Sequence, residues 1–365
     1  MKRNDRLKKT LFIFSDDFGE LVLLRLLSYQ LPFHVHAALP ARLYDHVSLS
    51  SVIKHRYNGY AELKKIIQTV APEQVMLFSA YLLAPNGMLS YEEFYSLLDL
   101  LDAQQIPVAT SDPFMRIYDQ QEYQSDQNHY LTNARNILKK ISERLSVYRH
   151  LYAVPVSFDG APHQSFSNSA KMTMKLSMRS RRQWTFVMAK EDFSLLQVGS
   201  EKSYHKVLAP FLSQLTENHD IAVNLIFPEA LLEILKNELP DEPHIKLVSY
   251  CDLEEFEKLI IQSEALFYWN VFSASTLLCR LYEKPVFYLG LGHMAVFYPE
   301  FYDYIKDSWF PDSKPDVLTL DEAFAPAVMK KLEDGGNQCE DTNIYLPYPQ
   351  LDSPMDVFTY NSRVV

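Results

Sequence analysis

The chain has 365 residues, of which 47% are hydrophobic and 13% aromatic, and its formal net charge is −11. A chain of this length usually folds into more than one domain, and this composition supports large buried cores. The acidic balance argues against nucleic-acid binding, because phosphate backbones are bound by basic surfaces.

Four short apolar runs alternate with amphipathic stretches in the first half, a pattern that predicts parallel strands covered by helices. The predicted strands are TLFIFSD, FHVHAALP, EQVMLFSAYLL and IPVATSDPF. The predicted helices are FGELVLLRLLSYQL, YAELKKIIQTV, SYEEFYSLLDLLDAQQ and residues 130–150, and Ser90 with Glu93 forms a capping box for the third. We therefore predict a Rossmann-like domain of four strands over residues 1–155.

The second half repeats this alternation after a polar stretch, residues 156–182, which we predict to be a linker. Five further strands are predicted, QWTFVMAK, DIAVNLIFP, HIKLVSYC, ALFYWN and PVFYLGLG, with helices between them. Asp252 is the predicted N-cap of the helix DLEEFEKLIIQS. The predicted fold is α/β, with a second Rossmann-like domain at residues 183–330. The chain after Pro299 reads as irregular, and residues 331–365 read as a tail that packs on the surface.

The cysteines and the N-terminus indicate the compartment. Cys251, Cys279 and Cys339 form no Cys-x-x-Cys pair, so we expect neither a disulfide framework nor a zinc or other metal site. The apolar run at residues 11–14 is too short for a signal peptide, and no stretch offers the ~20 apolar residues of a membrane span. The sequence therefore predicts a cytoplasmic protein with no integral membrane segment.

Two Rossmann-like domains in tandem predict a cleft between them, with ligands bound at the carboxyl ends of the strands. The chain has nine glycines and contains neither a Walker A motif nor G-x-G-x-x-G, so the usual kinase and dinucleotide signatures are absent.

The segment NVFSAST follows the predicted strand ALFYWN and opens a helix. Unpaired N–H groups at a helix start attract anions, and Ser273, Ser275 and Thr276 add hydroxyl donors. The alternative is that these residues only cap the helix, because Ser and Thr are favoured N-caps. Asn270, at the end of the strand, belongs to the same turn.

These residues carry a resemblance. The order of turn, helix and proline-led strand, NVFSAST and then LLCRLYEKPVFYLGLG, is similar to the C-terminal domain of GT-B glycosyltransferases and of their relatives, the sugar-nucleotide 2-epimerases. The resemblance spans residues 183–293 by pattern and the first half by topology. It implies two Rossmann-like domains, and it implies that Ser273, Ser275 and Thr276 contact the phosphates of a sugar-nucleotide donor.

The chain departs from the family pattern at two places in this segment. The family's frequent glutamate, which holds the donor ribose, falls at Leu278, and Val271 and Phe272 replace a Gly-Gly pair. Leucine cannot hydrogen-bond a ribose. A binding or partner protein of the same fold, without catalysis, is therefore an alternative to an enzyme.

The first domain offers candidate general bases near its strand ends. Asp17 and Glu20 follow the first strand, and Asp112 follows the fourth predicted strand. Gly19 would allow a close approach of the backbone to a ligand. The alternatives are that the first two acids complement a helix dipole and that Asp112 initiates an Asp-Pro turn.

Further candidates border the predicted cleft. Lys171, Lys175, Arg179, Arg181 and Arg182 form the most concentrated basic segment, and an arginine there could bind a pyrophosphate. Lys202 follows the first strand of the second domain, where family members often contact the donor phosphate. His293 ends the run YLGLGH. The alternatives are a solvated linker for the basic segment and a structural role for the histidine.

We therefore predict a glycosyltransferase that moves a sugar from a nucleotide-activated donor to an acceptor hydroxyl in the interdomain cleft. The expected partner is a nucleotide-sugar donor, and no cofactor is expected. A sugar-nucleotide epimerase and a non-catalytic binding protein are the alternatives. The sequence leaves the acceptor and oligomerisation open.

Overall fold

A computed structural model describes residues 9–28, 35–114, 116, 129–152, 156–158, 161–163, 182–199, 204–239, 242–249, 251–282, 284–297, 299–310, 315–321 and 323–334. The chain divides into two compact units. The described residues of the first unit lie between positions 9 and 163, and those of the second lie between positions 182 and 334. The exact borders at 155, 182 and 330 stay predictions.

The first unit contains a parallel sheet of six strands in the order β3-β2-β1-β4-β5-β6. Its strands are β1 (Thr10–Phe14), β2 (Val35–Pro40), β3 (Val52–Tyr57), β4 (Gln74–Phe78), β5 (Val108–Ser111) and β6 (Arg149–Leu151). The strand order reverses between β1 and β4, as in a doubly wound fold. The central strands β1 and β4 are buried along their whole length, which explains their continuous apolar sequences.

Helices connect these strands. They are α1 (Phe18–Ser28), α2 (Ala41–Tyr44), α3 (Tyr60–Val70), α4 (Ala80–Leu83), α5 (Tyr91–Ala103) and α6 (His129–Leu145). The capping box predicted for α5 is confirmed, since the Ser90 hydroxyl accepts from the Glu93 N–H and the Glu93 carboxylate accepts from the Ser90 N–H.

The prediction of four strands was incomplete at both edges of the sheet. In β3 only the end residues Val52 and Tyr57 are buried, so the strand lacks an apolar run. At the other edge, helix α6 ends at Leu145, and the three residues of β6 pair with β5 rather than continuing the helix to residue 150. Edge strands are covered on fewer sides, and their sequences are correspondingly less apolar.

A short antiparallel pair lies within residues 156–182, which were predicted to be a linker. It joins β7 (Val156–Phe158) to β8 (Ala161–His163). Residues 164–181 lie outside the described part of the chain.

The second unit contains a parallel sheet of five strands, and all five were predicted. They are β9 (Gln183–Val187), β10 (Ala222–Ile226), β11 (Ile245–Val248), β12 (Ala265–Tyr268) and β13 (Val286–Tyr288), in the order β11-β10-β9-β12-β13. The order reverses between β9 and β12. Both sheets therefore have the Rossmann-like topology expected for the α/β fold class.

The helices of the second unit are α7 (Lys190–Gly199), α8 (His205–His219), α9 (Glu229–Glu238), α10 (Leu253–Gln262), α11 (Thr276–Leu281), α12 (His293–Phe297), α13 (Pro299–Trp309) and α14 (Phe324–Glu333). The prediction of irregular structure after Pro299 was wrong, because α13 and α14 lie there. Helix α14 buries Phe324, Ala325 and Val328. The tail predicted at 331–365 lies outside the described residues beyond position 334.

Aromatic packing dominates the core of the second unit. Phe186 of β9 stacks on Phe267 of β12, with ring centroids 4.5 Å apart, and Phe267 stacks on Phe287 of β13 at 5.4 Å. Trp184 and Phe324 also pack against Phe267, and their rings contact each other edge to face with centroids 6.2 Å apart. The row of stacked phenylalanines joins β9, β12 and the edge strand β13.

Among the described residues, no helix combines the length and the apolar character that crossing a membrane would require.

The N-cap of α10 gives a direct test of the second unit. The Asp252 carboxylate accepts from the Glu255 N–H at 2.8 Å, as predicted. We expect Asp252→Ala to lower the free energy of unfolding by about 1 kcal/mol and Asp252→Asn to restore most of it. Urea unfolding followed by tryptophan fluorescence measures the change, because Trp184, Trp269 and Trp309 all lie in this unit. Equal losses for both variants would contradict a capping role.

Candidate functional site

Three loops meet at the carboxyl edge of the second sheet, beside the point where the strand order reverses. They follow β9, β12 and β13, which are neighbours in the order β9-β12-β13. In open α/β sheets this position forms a crevice in which ligands bind. The polar side chains of these loops therefore form one candidate site.

The turn after β12, residues 270–275, is held by its own side chains. Asn270 Oδ1 accepts from the Phe272 N–H at 2.9 Å, and the Ser273 and Ser275 hydroxyl oxygens are 2.8 Å apart. Thr276 is fully buried, and its hydroxyl donates to the Ser273 carbonyl at 2.8 Å. Asn270 and the three hydroxyl residues predicted to contact phosphates thus lie in one turn. Ser273 is the most exposed of the three hydroxyl residues, and Thr276 is engaged within the turn.

The alternative of a simple helix cap does not describe this turn. Ser275 stands at the N-cap position of α11 and makes no hydrogen bond from its side chain to a helix N–H. Its hydroxyl bonds to that of Ser273 instead. The turn is therefore organised by contacts between hydroxyls rather than by the usual N-cap bond.

The turns after β12 and β13 touch each other at Gly292. This glycine has φ +91°, a left-handed conformation that side chains other than glycine rarely adopt. A Cβ atom at this position would lie 2.5 Å from Asn270 Oδ1 and 2.6 Å from Asn270 Cγ. The amide of Asn270 therefore occupies the space that a side chain at 292 would need.

His293 is anchored to the first turn of helix α7, which follows β9. Its backbone N–H and its ring Nδ1 both lie near Asp192 Oδ1, at 2.8 and 2.9 Å. The Asp192 side chain is 3% exposed and that of His293 is 23% exposed. A carboxylate only accepts hydrogen bonds, so this contact places a proton on Nδ1 and leaves the neutral ring with an acceptor at Nε2.

Arg182 lies elsewhere. It immediately precedes β9 and so lies at the amino edge of the sheet, the edge opposite the three loops. Its side chain is half-exposed and reaches Glu264, which precedes β12, at 3.9 Å. The structure does not bring Arg182 together with Asn270, Ser273 or His293. Lys202 and the basic residues Lys171, Lys175, Arg179 and Arg181 lie outside the described part of the chain.

The candidate acids of the first unit lie at the carboxyl edge of its own sheet. Glu20, in the first turn of α1, is 2% exposed, and its Oε2 accepts from the Ser15 N–H and hydroxyl at 3.2 and 2.9 Å. Its Oε1 is buried and makes no hydrogen bond of normal geometry with the described residues, although the Ser79 hydroxyl is close enough to affect it. Asp17 Oδ1 accepts from the Gly19 N–H at 2.8 Å, so this glycine serves the helix start.

Burial dominates the titration of Glu20. It raises the pKa of this carboxyl well above its ordinary range, and the neighbouring Asp17 carboxylate raises it further. Hydrogen bonds from Ser79 and from Ser15 offset part of this effect. Glu20 therefore tends to hold its proton, whereas Asp17 is only partly buried.

Asp112 is engaged in a turn. It is 1% exposed, and its two oxygens accept from the N–H groups of Phe114 and Arg116 at 2.8 and 2.9 Å. These contacts are those expected of an Asp-Pro turn.

Two features of these edges escaped prediction. Asp192 is 101 residues from His293 in the chain, and only the acidic start of the unpredicted helix α7 could have drawn attention to it. Ser79, after β4, has φ +45°, and its N–H donates to the Ser111 hydroxyl at 2.6 Å. Such a left-handed serine has no signature in the sequence.

Structural comparison shows that the chain shares its fold with GT-B proteins. A protein of Listeria monocytogenes assigned as a UDP-N-acetylglucosamine 2-epimerase matches with a TM-score of 0.55 and 11% identity, over 90% of this chain and 88% of that one. MnaA of S. aureus, solved with UDP, matches at 0.51 and 12%, over 92% of both chains. Phytolacca americana UGT2, complexed with UDP-2-fluoroglucose and pterostilbene, matches at 0.50 and 12%, over 90% of both.

These matches confirm the predicted α/β fold class, with two Rossmann-like domains as in GT-B-fold proteins. At 11–12% identity they establish the fold alone. No family model and no curated protein matches the sequence.

The contact at Gly292 predicts a steric effect of substitution. We expect Gly292→Ala to cost about 2 kcal/mol or more of unfolding free energy, from the left-handed backbone and from the clash with Asn270. Gly87→Ala is the matched control, because Gly87 has φ +76° with open space around it. Urea unfolding followed by circular dichroism compares the two. Equal losses of unfolding free energy in the two variants would show that the clash with Asn270 adds nothing to the cost of a side chain at position 292.

The burial of Glu20 predicts a dependence of stability on pH. The folded protein keeps this proton at pH values where the unfolded chain has released it, so Glu20 lowers stability as pH rises above about 4.5, its ordinary pKa. We expect the stability of Glu20→Gln, relative to the parent, to increase by about 1.4 kcal/mol per pH unit in that window, until the folded-state pKa is reached. Hydrogen exchange of β1 and β4 amides from pH 4 to 8 measures this difference. A difference that is constant with pH would contradict it.

Proposed function

We propose that the chain binds a nucleoside diphosphate sugar at the carboxyl edge of the second sheet and transfers the sugar to an acceptor hydroxyl. One observation supports this most. Loops from three adjacent strands converge at the strand-order reversal, and their polar groups are already fixed through the contacts of Asn270 with Gly292 and of Asp192 with His293. Such preorganised groups are suited to binding a small polar ligand.

In this proposal the turn 270–275 faces the donor phosphates. The Ser273 hydroxyl donates a hydrogen bond to a phosphate oxygen, while Thr276 holds the Ser273 carbonyl and so fixes the turn. Gly292 leaves room for the Asn270 amide, and the His293 Nε2 accepts a hydrogen bond from a sugar hydroxyl. Asp192 holds that ring in place.

The reaction needs a base for the acceptor. The acceptor oxygen forms a bond to the anomeric carbon, the bond from that carbon to the phosphate oxygen breaks, and the acceptor proton passes to a carboxylate. Of the three acids considered, Asp17 is partly buried, Glu20 is fully buried, and both oxygens of Asp112 are engaged in its turn. Asp17 is therefore the acid of the first unit best suited to accept a proton.

A 2-epimerase of sugar nucleotides is the second candidate. Of the three structural matches described above, the one with the highest TM-score is assigned as such an epimerase. In either candidate function the donor ribose lacks the glutamate expected at position 278. Leu278 stands there instead, and it is fully buried and cannot contact a ligand. The two activities use the same donor, so the product distinguishes them.

The first test is nucleotide binding. We expect UDP or a UDP-sugar to stabilise the protein by about 2.7 kcal/mol at a concentration 100 times its Kd. Ser273→Ala and His293→Gln should each weaken binding about 5- to 10-fold, the value of one lost hydrogen bond. Lys246→Met is the control, because Lys246 is an exposed residue of the edge strand β11 and pairs with Glu255. Isothermal titration measures each Kd.

The outcomes separate the candidates. No response to uridine, adenosine or guanosine diphosphates or their sugars would contradict the proposed function. Binding followed by release of the nucleoside diphosphate in the presence of acceptors supports transfer. Conversion of a UDP-sugar to its C2 epimer supports the second candidate. Binding without either product would indicate a non-catalytic protein.

A further inference from the structure

A guanidinium group is buried behind the turn 270–275. Arg280, in helix α11, is 8% exposed. Its Nη2 donates to the Trp309 carbonyl at 3.2 Å, and its Nη1 is buried with no hydrogen-bond partner in the described part of the chain. Arg280 also forms no ion pair with any described carboxylate.

The indole of Trp309 also has a buried donor without an acceptor. Its Nε1 is buried and has no hydrogen-bond partner among the described residues. The other two tryptophans differ, since Trp184 Nε1 donates to Glu264 at 3.3 Å and Trp269 Nε1 donates to the Tyr204 hydroxyl at 2.8 Å. Trp309 is therefore exceptional among the three indoles of the chain.

The two unmatched donors belong to side chains in contact. The guanidinium carbon of Arg280 lies 5.5 Å from the centre of the Trp309 ring and 5.9 Å from that of Phe310. Phe272, from the turn 270–275, packs on Trp309 with centroids 5.8 Å apart. The rings around the guanidinium thus present π-faces to it, and the Trp309 carbonyl is its hydrogen-bond acceptor among the described residues.

A buried cation without a counter-charge is costly, and so is each buried donor without an acceptor. A water molecule would satisfy the donors and leave the charge unbalanced. An anion with several oxygens would satisfy both requirements, because one guanidinium N–H and one indole N–H can each donate to an oxygen of the same group.

We propose that Arg280 and Trp309 form a binding site for a small oxyanion, of the phosphate or carboxylate class. The site is separate from the groups assigned to the sugar nucleotide and does not depend on that function. Through Phe272 an occupied site would hold helix α13 against the turn 270–275. Because both nitrogens are buried, the anion enters when the surrounding side chains move locally.

The indole N–H resonances test this proposal on the full-length protein. The ¹⁵N spectrum should show three indole peaks, and loss of one in Trp309→Phe identifies Trp309. We expect inorganic phosphate to shift the Trp309 peak downfield in a saturable manner, with NaCl at matched ionic strength as the reference. The peaks of Trp184 and Trp269 should stay in place. Acetate in place of phosphate shows whether a carboxylate is accepted as well.

Arg280→Met separates an anion site from a general salt effect. In low salt without phosphate this variant should be at least as stable as the parent, because it removes an unpaired buried charge. Phosphate should raise the Tm of the parent and leave that of Arg280→Met unchanged, and Lys246→Met, which removes an exposed paired cation, should respond like the parent.

Two results would overturn the proposal. One is a Trp309 peak whose chemical shift changes with neither phosphate nor acetate. The other is a Trp309 peak that moves equally in Arg280→Met. Neither result bears on nucleotide binding, which is measured with nucleotides and with variants of Ser273 and His293.

Discussion

The parallel pairing of β9 with β12 determines where the polar groups of the second unit can lie. Five strands that run the same way must end at one edge, and the chain leaves β9 and β12 toward opposite sides of the sheet. The loops that follow them, together with the loop after β13, therefore share one small region. Asp192, Asn270 and His293 are neighbours for this reason, although they are widely separated in sequence.

Burial decided how much of the fold could be predicted from the sequence. Strands covered on both faces, such as β1, β4 and β12, consist of apolar runs and were all found. The edge strands β3 and β6 carry polar residues or are very short, and they were missed. Helix α14 was missed for another reason, since its buried stripe is brief and follows a stretch rich in aromatics and prolines.

The candidate site was predictable residue by residue but not as an arrangement. Asn270, Ser273 and His293 were identified from their places after strands. Their partners were not, because the bond between Asp192 and His293 and the contact of Asn270 with Gly292 arise only when strands distant in sequence pair. Arg182 was a wrong choice for the same reason. The basic residues around it suggested a phosphate site, but it precedes β9 and so lies at the amino edge of the sheet, opposite the candidate site.

The close approach of Asn270 to Gly292 also restricts which substitutions the two positions can accept. Because the Asn270 amide fills the volume beside residue 292, the two positions are not independent. A side chain at 292 becomes acceptable only after residue 270 has become smaller and the backbone has left its left-handed conformation. Among relatives of this chain, we therefore expect the pair to change in concert, and a substitution at one position to be accompanied by a compensating one at the other.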